Sequence, residues 1–233
     1  LTLNIGGFIP TSTIDFPGRL AAVIFTQGCP WRCHYCHNPD LALGQAESPH
    51  EWEGVKAILE RRKSLLDGVV ISGGEPLIQK DLIDVLKEIK QMGLEAALHT
   101  GGAMVNRFKE ALPYLDWVGY DIKAEQLAYA SITQVEGSGE SAFAGLQALL
   151  DSGVDYEVRT TAHWSLMSRE ELLSLSETLA EIGVKNYVVQ IARDGGNLSK
   201  ELLAHNGSES DFSSGPLSKI GSMFENFSVR VAA

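Results

Sequence analysis

Short runs of β-branched and other apolar residues alternate with amphipathic segments over most of the chain. The apolar runs predict strands at 21–26, 68–72, 94–99, 116–121, 155–161 and 185–191. Between these runs, apolar residues recur at three- and four-residue steps, as Leu172, Leu175 and Leu179 do, which is typical of a helix with one buried face. Six β/α units in series predict parallel strands that are joined by right-handed crossovers.

Two of the helical segments begin with a serine that is followed three residues later by a glutamate. These pairs are Ser48 with Glu51 and Ser168 with Glu171. In such a capping box the serine side chain accepts a hydrogen bond from a free backbone N–H group, and the glutamate reaches back to the serine N–H. We therefore expect a helix to begin at each of these serines.

The number of units indicates how far the sheet closes. A closed eight-unit barrel usually needs ~250 residues, whereas this chain has six units in 233 residues. We therefore predict an α/β fold that forms an incomplete (β/α)6 barrel of parallel strands, with a flat doubly wound sheet as the alternative. In both folds, ligands bind at the C-terminal ends of the strands.

One domain is predicted to contain the whole chain. Its parts are an N-terminal extension at 1–20, the partial barrel at 21–191 and a C-terminal tail at 192–233. The tail is rich in glycine and serine, which predicts a loop, with a last strand possible at 226–232.

Charge and hydropathy limit the partners and the compartment. With 30 acidic and 19 basic side chains, the formal net charge of −11 repels phosphate backbones, so nucleic acid is not expected as a partner. No apolar run approaches the ~20 residues that cross a bilayer, and the first residues do not resemble a signal peptide. We therefore expect a cytoplasmic protein with reduced thiols and no membrane partner.

The cysteines are few and clustered. Cys29, Cys33 and Cys36 are the only three in the chain, and they follow the first predicted strand with the spacing C-x3-C-x2-C. Three clustered cysteines do not form a disulfide framework, and such clustering indicates metal or redox chemistry. Three thiolates on a [4Fe–4S] cube would leave one iron open to an exogenous ligand. The alternative is a zinc site that His34 or His37 completes.

Other polar motifs lie where predicted strands end, and each also has a purely structural explanation. The segment 73–76, Gly-Gly-Glu-Pro, could be an ordinary turn that starts a helix. Asp121 and Lys123 could be solvated charges, and Arg159 could belong to a buried ion pair instead of binding a ligand carboxylate. Asp15 could initiate a turn before Pro17.

Taken together, these motifs resemble those of the radical S-adenosylmethionine (SAM) enzymes. The resemblance is to the activating enzymes of glycyl-radical proteins, and most closely to the activating protein of anaerobic (class III) ribonucleotide reductase. It runs from about Gly7 to about Ile191. It rests on STIDFPG (12–18), the cysteine motif followed by HNP, ISGGEP (71–76), LHTGG (98–102), YDIK (120–123), ITQVEGSG (132–139) and YEVRTT (156–161).

The resemblance implies a mechanism and its cofactors. In that family, the open iron of a [4Fe–4S] cluster chelates SAM, and an electron from the cluster cleaves SAM to methionine and a 5′-deoxyadenosyl radical. Tyr35 matches the position whose backbone meets the adenine. Gly73, Gly74 and Glu75 match the element that binds the methionyl ammonium group, where the missing side chains let the backbone approach the ligand.

Further positions are implied in the same way. Asp121 and Lys123 match a D-x-K motif that helps to hold SAM, and Thr100 matches a position near the ligand and a monovalent-cation site. The activating enzyme of pyruvate formate-lyase has an aspartate where this chain has His99, which argues against a cation site of that kind. His99 could instead bind the ligand or pack against its neighbours. Asp15 matches a D-x-P-G segment that meets the backbone of the protein substrate.

The implied activity is that of an oxidoreductase that activates another protein. Because all three cysteines are used by one motif, a second cluster has no cysteine ligands. We expect the enzyme to abstract hydrogen from a glycine of an anaerobic ribonucleotide reductase or another glycyl-radical enzyme, with a flavodoxin- or ferredoxin-type electron donor. One alternative is a radical SAM enzyme that acts on a small molecule, similar to 7-carboxy-7-deazaguanine synthase. Another is a non-catalytic zinc-binding module.

Overall fold

The protein is built around one eight-stranded sheet. The computed structural model describes residues 1–47, 50–192 and 214–231. The six strands predicted from 21 to 191 are all present, with ends that differ by one residue at most. The strands are β1 (Ile5–Ser12), β2 (Ala21–Thr26), β3 (Gly68–Gly73), β4 (Glu95–Thr100), β5 (Trp117–Asp121), β6 (Asp155–Ala162), β7 (Asn186–Ile191) and β8 (Asn226–Val231).

Helices connect the parallel strands. They are α1 (Pro39–Leu43), α2 (Trp52–Arg62), α3 (Leu82–Gln91), α4 (Val105–Ala111), α5 (Tyr129–Thr133), α6 (Ser138–Ser152), α7 (Arg169–Glu181) and α8 (Ser214–Gly221). The capping box at Ser168 is confirmed, whereas α2 begins at Trp52 after an N-cap residue, Glu51, that makes no side-chain cap bond. Ser48 lies outside the described residues. Among those residues, no helix is both long enough and apolar enough to cross a bilayer.

The strand order follows the chain from β1 to β8, and the sheet does not close. Strands β2 to β8 are parallel, and β1 pairs with β2 in the antiparallel direction. The prediction of an incomplete parallel barrel is confirmed, but the sheet has two more strands than the six predicted units. The segment 1–20 contributes β1, which the pattern missed because two glycines and a proline interrupt its alternation. The tail contributes α8 and the strand that was expected at 226–232.

The helices that contribute residues to the apolar core all pack against one face of the sheet. Alternate strand residues such as Ala22, Ile24 and Val69 join the helices in the larger apolar cluster. The intervening residues, including Val23 and Val70, form a smaller cluster to which no described helix contributes. A doubly wound sheet would carry helices on both faces. The sheet is therefore an open barrel, and the flat alternative is wrong.

The inner face of this barrel is filled by the segment that joins β1 to β2. Phe16 is buried among the inner strand residues, and its ring lies 5.7 Å from that of Trp117 on β5. Gly68 at the start of β3 leaves room for this ring, since a Cβ there would stand 3.0 Å from it. The segment 12–18 therefore forms the floor of the space inside the barrel.

Candidate active site

A cavity of about 610 Å³ lies at the C-terminal ends of the strands. This is the edge where parallel α/β folds bind their ligands. Every site residue predicted from the sequence lines this one cavity, although the residues come from six separate parts of the chain. They are Asp15, Cys29, Cys33, Tyr35, Cys36, Gly73, Gly74, Glu75, Thr100, Asp121, Lys123 and Arg159.

The cysteine loop, residues 27–38, joins β2 to α1 and forms one wall of the cavity. Cys29, Cys33 and Cys36 are free and half-buried. Burial raises the pKa of Cys29 to about 12, with a further contribution from Glu75, and burial also raises the pKa values of Cys33 and Cys36. These thiols hold their protons until a metal replaces them. All three thiols line this one cavity, and three cysteines are the ligand set of a [4Fe–4S] cluster with one open iron. Among the described residues, no group of three histidine, cysteine, aspartate or glutamate side chains is already arranged to hold a metal ion.

The two glycines at the end of β3 pack against the cysteine loop. A Cβ on Gly73, which has a φ of 113°, would meet the backbone of Thr26, and a Cβ on Gly74 would meet the carbonyl oxygen of Gly28. The N–H group of Glu75 donates to that same oxygen at 2.8 Å. The missing side chains therefore let two loops of the protein approach each other, whereas the sequence suggested an approach of the backbone to the ligand.

Glu75 joins the loops that follow β3 and β4. Its carboxylate accepts hydrogen bonds from Thr100 Oγ1 at 2.7 Å, from the Gly101 N–H group at 3.1 Å and from the Leu77 N–H group at 3.1 Å. Burial raises the pKa of Glu75, although these donors oppose the shift. Thr100 Oγ1 in turn accepts from the Gly102 N–H group at 3.0 Å. Both side chains line the cavity, and both also hold its wall together.

A cluster of charges lies at the ends of β5 and β6. Asp121 stands opposite Arg159 in the strand register, and Arg159 Nε donates to its carboxylate at 3.0 Å. Lys123 Nζ lies 3.8 Å from the other oxygen of Asp121. Burial alone would raise the pKa of Asp121, but Arg159 and Lys123 hold it below its ordinary value. The ion pair considered from the sequence is therefore present, and it lies in the wall of the cavity.

Arg159 lies flat against the backbone of β5. Its Nη2 donates to the carbonyl oxygen of Gly119 at 3.1 Å, and a Cβ on Gly119 would collide with the guanidinium group at 2.6–2.7 Å. Only a glycine at position 119 leaves this space. Two cations, Arg159 and Lys123, therefore surround one carboxylate, and the local charge favours an anionic ligand group.

His99 contacts protein groups through both ring nitrogens. Nε2 donates to the carbonyl oxygen of Asp15 at 2.9 Å, because a carbonyl can only accept, and Nδ1 then accepts from Ser72 Oγ at 3.3 Å. Burial, with a smaller effect of Arg159, lowers the pKa of His99 to about 3. The residue is neutral and supplies no negative charge for a cation. Of the two roles considered for it, packing against its neighbours agrees with these contacts.

Asp15 lines the cavity from the segment that fills the barrel. Its carboxylate accepts a hydrogen bond from Ser12 Oγ, and the Ile14 N–H group donates to the same hydroxyl at 3.3 Å. These bonds tie Asp15 to the end of β1, and the backbone turn that follows is closed by the Arg19 N–H group, which donates to the Phe16 carbonyl oxygen at 3.0 Å. Asp15 also lines the cavity. The side chain of Ile14 is 68% exposed beside it.

Two aromatic residues of the cysteine loop are buried beside Lys123. Burial raises the pKa of Tyr35, and within the described part of the chain its hydroxyl has no hydrogen-bond partner. Trp31, which sequence reasoning did not select, lies with its ring centroid 5.9 Å from Lys123 Nζ. The same ring meets that of Tyr129 edge-on at 5.7 Å. Its position between two of the cysteines was the feature of the sequence that could have identified Trp31 as a residue of the site.

Three further cavity residues come from the strands nearest the open edge. Thr161, Gln190 and Arg230 stand next to one another in the register of β6, β7 and β8. All three line the cavity, and Arg230 also pairs with Glu157. Each is a polar residue one position before the end of its strand, which is a signal that a search for motifs does not detect.

The family model of the radical SAM superfamily matches residues 23–192 of this chain. The chain belongs to the radical SAM superfamily. It is an enzyme, and its cofactors are a [4Fe–4S] cluster and SAM. The interpretation of the cysteine motif as a non-catalytic zinc module is therefore wrong.

Similar proteins narrow the type of radical SAM enzyme. A protein of Methanocaldococcus jannaschii that is named as a glycyl-radical enzyme activating enzyme is 29% identical over 80% of this chain and 78% of its own length. The pyruvate formate-lyase-activating enzyme of Clostridium pasteurianum is 36% identical over 72% of this chain and 73% of its own length. The curated relatives of this radical SAM enzyme thus include activating enzymes.

A solved radical SAM structure shares the fold. Streptococcus suis SuiB bound to S-adenosylmethionine superposes with a TM-score of 0.65 at 15% identity, over 89% of this chain and 49% of SuiB. The chain therefore spans about half the length of that protein. At this level of identity the likeness shows the fold alone.

We expect Gly74→Ala to lower both the iron content of the reconstituted enzyme and its affinity for SAM. The added Cβ would meet the Gly28 carbonyl oxygen and displace the loop that leads into Cys29, at a cost of about 1–3 kcal/mol. Iron content is measured after anaerobic reconstitution, and SAM affinity by titration. Gly54→Ala, in open space on α2, is the matched control and should retain both. A Gly74→Ala protein with a full complement of iron would contradict this role of the glycine.

Proposed function

We propose that this enzyme abstracts a hydrogen atom from a glycine of a glycyl-radical enzyme, and that the first candidate partner is an anaerobic ribonucleotide reductase. The observation that carries the proposal is the relationship to activating enzymes over most of the chain. The motif resemblance favours the reductase. Pyruvate formate-lyase is the second candidate, because an activating enzyme of that protein is 36% identical to this chain.

The cysteine loop is the proposed site of the cluster. Cys29, Cys33 and Cys36 would each bind one iron and leave a fourth iron open to an exogenous ligand. When bound and reduced, the cluster supplies the electron that breaks the sulfonium C–S bond of SAM and yields a 5′-deoxyadenosyl radical. Because the thiols are half-buried in the wall of the cavity, the chain itself shields this corner of the site from water.

The charges at the ends of β5 and β6 are the proposed site of the SAM carboxylate. Arg159 and Lys123 carry two positive charges, and Asp121 balances one of them. The segment from Gly73 to Glu75 would bind the methionyl ammonium group through its backbone oxygens. The support for this role is its place in the cavity wall, next to Thr100. The backbone of Tyr35 would meet the adenine.

The side of the cavity opposite the cysteine loop is the proposed site of the target glycine. Asp15 borders it on the segment that fills the barrel, and Arg230 borders it on the last strand. Arg230 lies on β8 at one edge of the open sheet, and Asp15 lies on the segment that joins β1, at the other edge, to β2. A sheet that does not close leaves a lateral opening, and a loop of another protein can enter there. The contribution of the protein to this step would be to hold the glycine beside the 5′-carbon.

The electron donor and the compartment are part of the same proposal. A one-electron donor of the flavodoxin or ferredoxin type would reduce the cluster, and both belong to the cytoplasm, where thiols stay reduced. Arg32, on the exposed side of the cysteine loop, would offer a positive charge to the acidic surface of such a donor.

The test uses the reconstituted enzyme, SAM and a chemical reductant with each candidate partner. With the correct partner, we expect a doublet radical signal. The Cα–H bond of the glycine breaks, the hydrogen atom joins the 5′-carbon, and the unpaired electron stays on Cα. A partner with an α-deuterated glycine should therefore transfer deuterium to 5′-deoxyadenosine, and replacing that glycine by alanine should abolish the signal.

One variant and two alternative outcomes separate the identity of the target from the radical chemistry. Asp15→Asn should lower radical formation on the partner while it retains SAM cleavage without a partner, because Asp15 is placed at the protein substrate. Formation of a modified small molecule, with no radical on either candidate protein, would overturn the proposal and favour the alternative of a small-molecule radical enzyme. A radical signal on pyruvate formate-lyase and none on the reductase would show that pyruvate formate-lyase is the partner.

A further inference from the structure

The ITQVEGSG motif, residues 132–139, has no role in the proposed radical chemistry. It contains the end of α5, a turn and the start of α6. Thr133 Oγ1 lies 2.6 Å from Ser138 Oγ and donates to the Tyr129 carbonyl oxygen at 3.1 Å, and both hydroxyl side chains are buried. Hydrogen bonds within α5 and the motif therefore hold this turn in place.

Three consecutive residues of this motif hold the cysteine loop. The Arg32 N–H group donates to the Thr133 carbonyl oxygen at 2.9 Å, and the His34 N–H group donates to that of Ile132 at 3.3 Å. Gln134 Nε2 donates to the Arg32 carbonyl oxygen at 2.6 Å. The loop between the first and third cysteines is thus bonded to residues that lie about a hundred positions further along the chain.

Gln134 ends α5 as its C-cap, in a left-handed backbone conformation, and its N–H group donates to the Ala130 carbonyl oxygen at 2.8 Å. Its φ is 58°, and it is the one non-glycine residue with a positive φ in the described part of the chain. A residue with a Cβ is disfavoured in this region, and glycine is the usual occupant. Because Gln134 is exposed, burial of its side chain does not offset the strain. The contact that the side chain makes is the bond to the cysteine loop.

The other end of the same short helix contacts the charge cluster. The Tyr129 hydroxyl accepts from the Lys123 N–H group at 3.1 Å and donates to the Asp121 carbonyl oxygen at 3.3 Å. Helix α5 has five residues and spans only about 7.5 Å, so its two ends lie close together. It therefore connects the D-x-K segment, through Tyr129, with the cysteine loop, through Ile132, Thr133 and Gln134.

We propose that Gln134 is a positioning residue that fastens the cysteine loop to α5 and thereby sets the place of the cluster relative to the cationic site at Asp121, Lys123 and Arg159. The inference rests on the proposed function, in which that loop holds the cluster and those charges hold the SAM carboxylate. A ligand that bridges the open iron and the cationic site requires a fixed distance between them, and the strained glutamine maintains it.

The first test needs no cofactor and measures amide hydrogen exchange in the apo protein. We expect Gln134→Glu, which keeps the shape but loses the N–H donor, to speed exchange at residues 32–34 about fivefold, the factor that one ordinary hydrogen bond provides. Gln134→Gly should do the same while its thermal midpoint stays level or rises, because glycine relieves the strain. Gln147→Ala removes a comparable exposed bond, to Asp151 on α6, and should leave exchange at residues 32–34 unchanged.

The second test measures the reconstituted enzyme. We expect both Gln134 variants to lose iron to a chelator about fivefold faster than the wild type and to show an altered electron paramagnetic resonance signal of the reduced cluster with SAM. Unchanged exchange, iron loss and spectrum in both variants would overturn the role of Gln134, as would iron loss that followed the thermal midpoint. A wild-type protein that takes up no iron would refute the proposed function, and the exchange result would still decide whether Gln134 fastens the loop.

Discussion

Replacing Cys29, Cys33 or Cys36 by alanine is expected to reduce SAM cleavage to background. In the proposed cluster site, each thiolate would bind a separate iron of the cube, and removal of one would leave a second iron without a protein ligand. The wild type should bind about four irons per chain after anaerobic reconstitution. The variants should bind fewer and should lose the brown colour on desalting. Cleavage is measured as 5′-deoxyadenosine formed after reduction with dithionite.

Folding has to be checked in each cysteine variant, because Cys29 and Cys33 also pack against the apolar core. Serine retains the shape of the side chain but is a poor ligand for iron, so Cys33→Ser should keep the thermal midpoint of the apo protein and still lose cleavage. A folded single variant that retained wild-type cleavage would show that the cluster is bound elsewhere.

The second large effect concerns stability. Asp121→Ala is expected to lower the free energy of unfolding by about 3 kcal/mol, because it leaves Arg159 without its carboxylate partner in a buried position. We choose the low end of the range because the side chain of Asp121 is 32% exposed. The double variant Asp121→Ala, Arg159→Leu should recover part of the loss, since it removes the unpaired charge as well. Urea unfolding at pH 7 measures both.

The ion pair of Asp121 and Arg159 also makes the free energy of unfolding depend on pH. The pKa of Asp121 is lower in the folded protein than its ordinary value of 3.8. The stability from its ionisation is therefore fully present above that value, and it is lost as the pH falls through the folded pKa. The free energy of unfolding of the Asp121→Ala variant should therefore lack this loss at acid pH.

Asp84→Ala is the matched control for the loss of stability. It breaks an exposed ion pair with Lys87 and should lower the free energy of unfolding by less than about 1 kcal/mol. An equal loss in both variants would contradict a special role for the buried pair.

The strands and the chemistry of the site could be read from the sequence. Apolar runs and a helical period of about 3.6 residues are local properties, and they located seven of the eight strands, the last of them at 226–232, and the parallel direction of the sheet. The spacing of Cys29, Cys33 and Cys36 is also local, because one loop carries all three. For the same reason, the short motifs at the ends of β3 and β5 were sufficient to identify residues that line the cavity.

The roles of individual side chains depended on tertiary contacts instead. Arg159 meets Asp121 across 38 positions of the chain, His99 meets Asp15 across 84, and Gln134 meets Arg32 across 102. Such pairs arise from the strand register and from loop packing, which no periodicity encodes. The close approach of Gly74 to the Gly28 carbonyl oxygen likewise depends on a neighbouring loop.

The strands at the two edges of the sheet show the same contrast between what the local sequence determines and what the tertiary structure decides. Glycine and proline weaken the pattern of β1, yet it joins the sheet because β2 offers it a free edge. Thr161, Gln190 and Arg230 carry no motif, and they become neighbours only through the register of β6, β7 and β8. Local sequence thus determined which elements form and which loop carries the thiols. The tertiary structure decided which side chains meet, because that depends on where distant strands end in space.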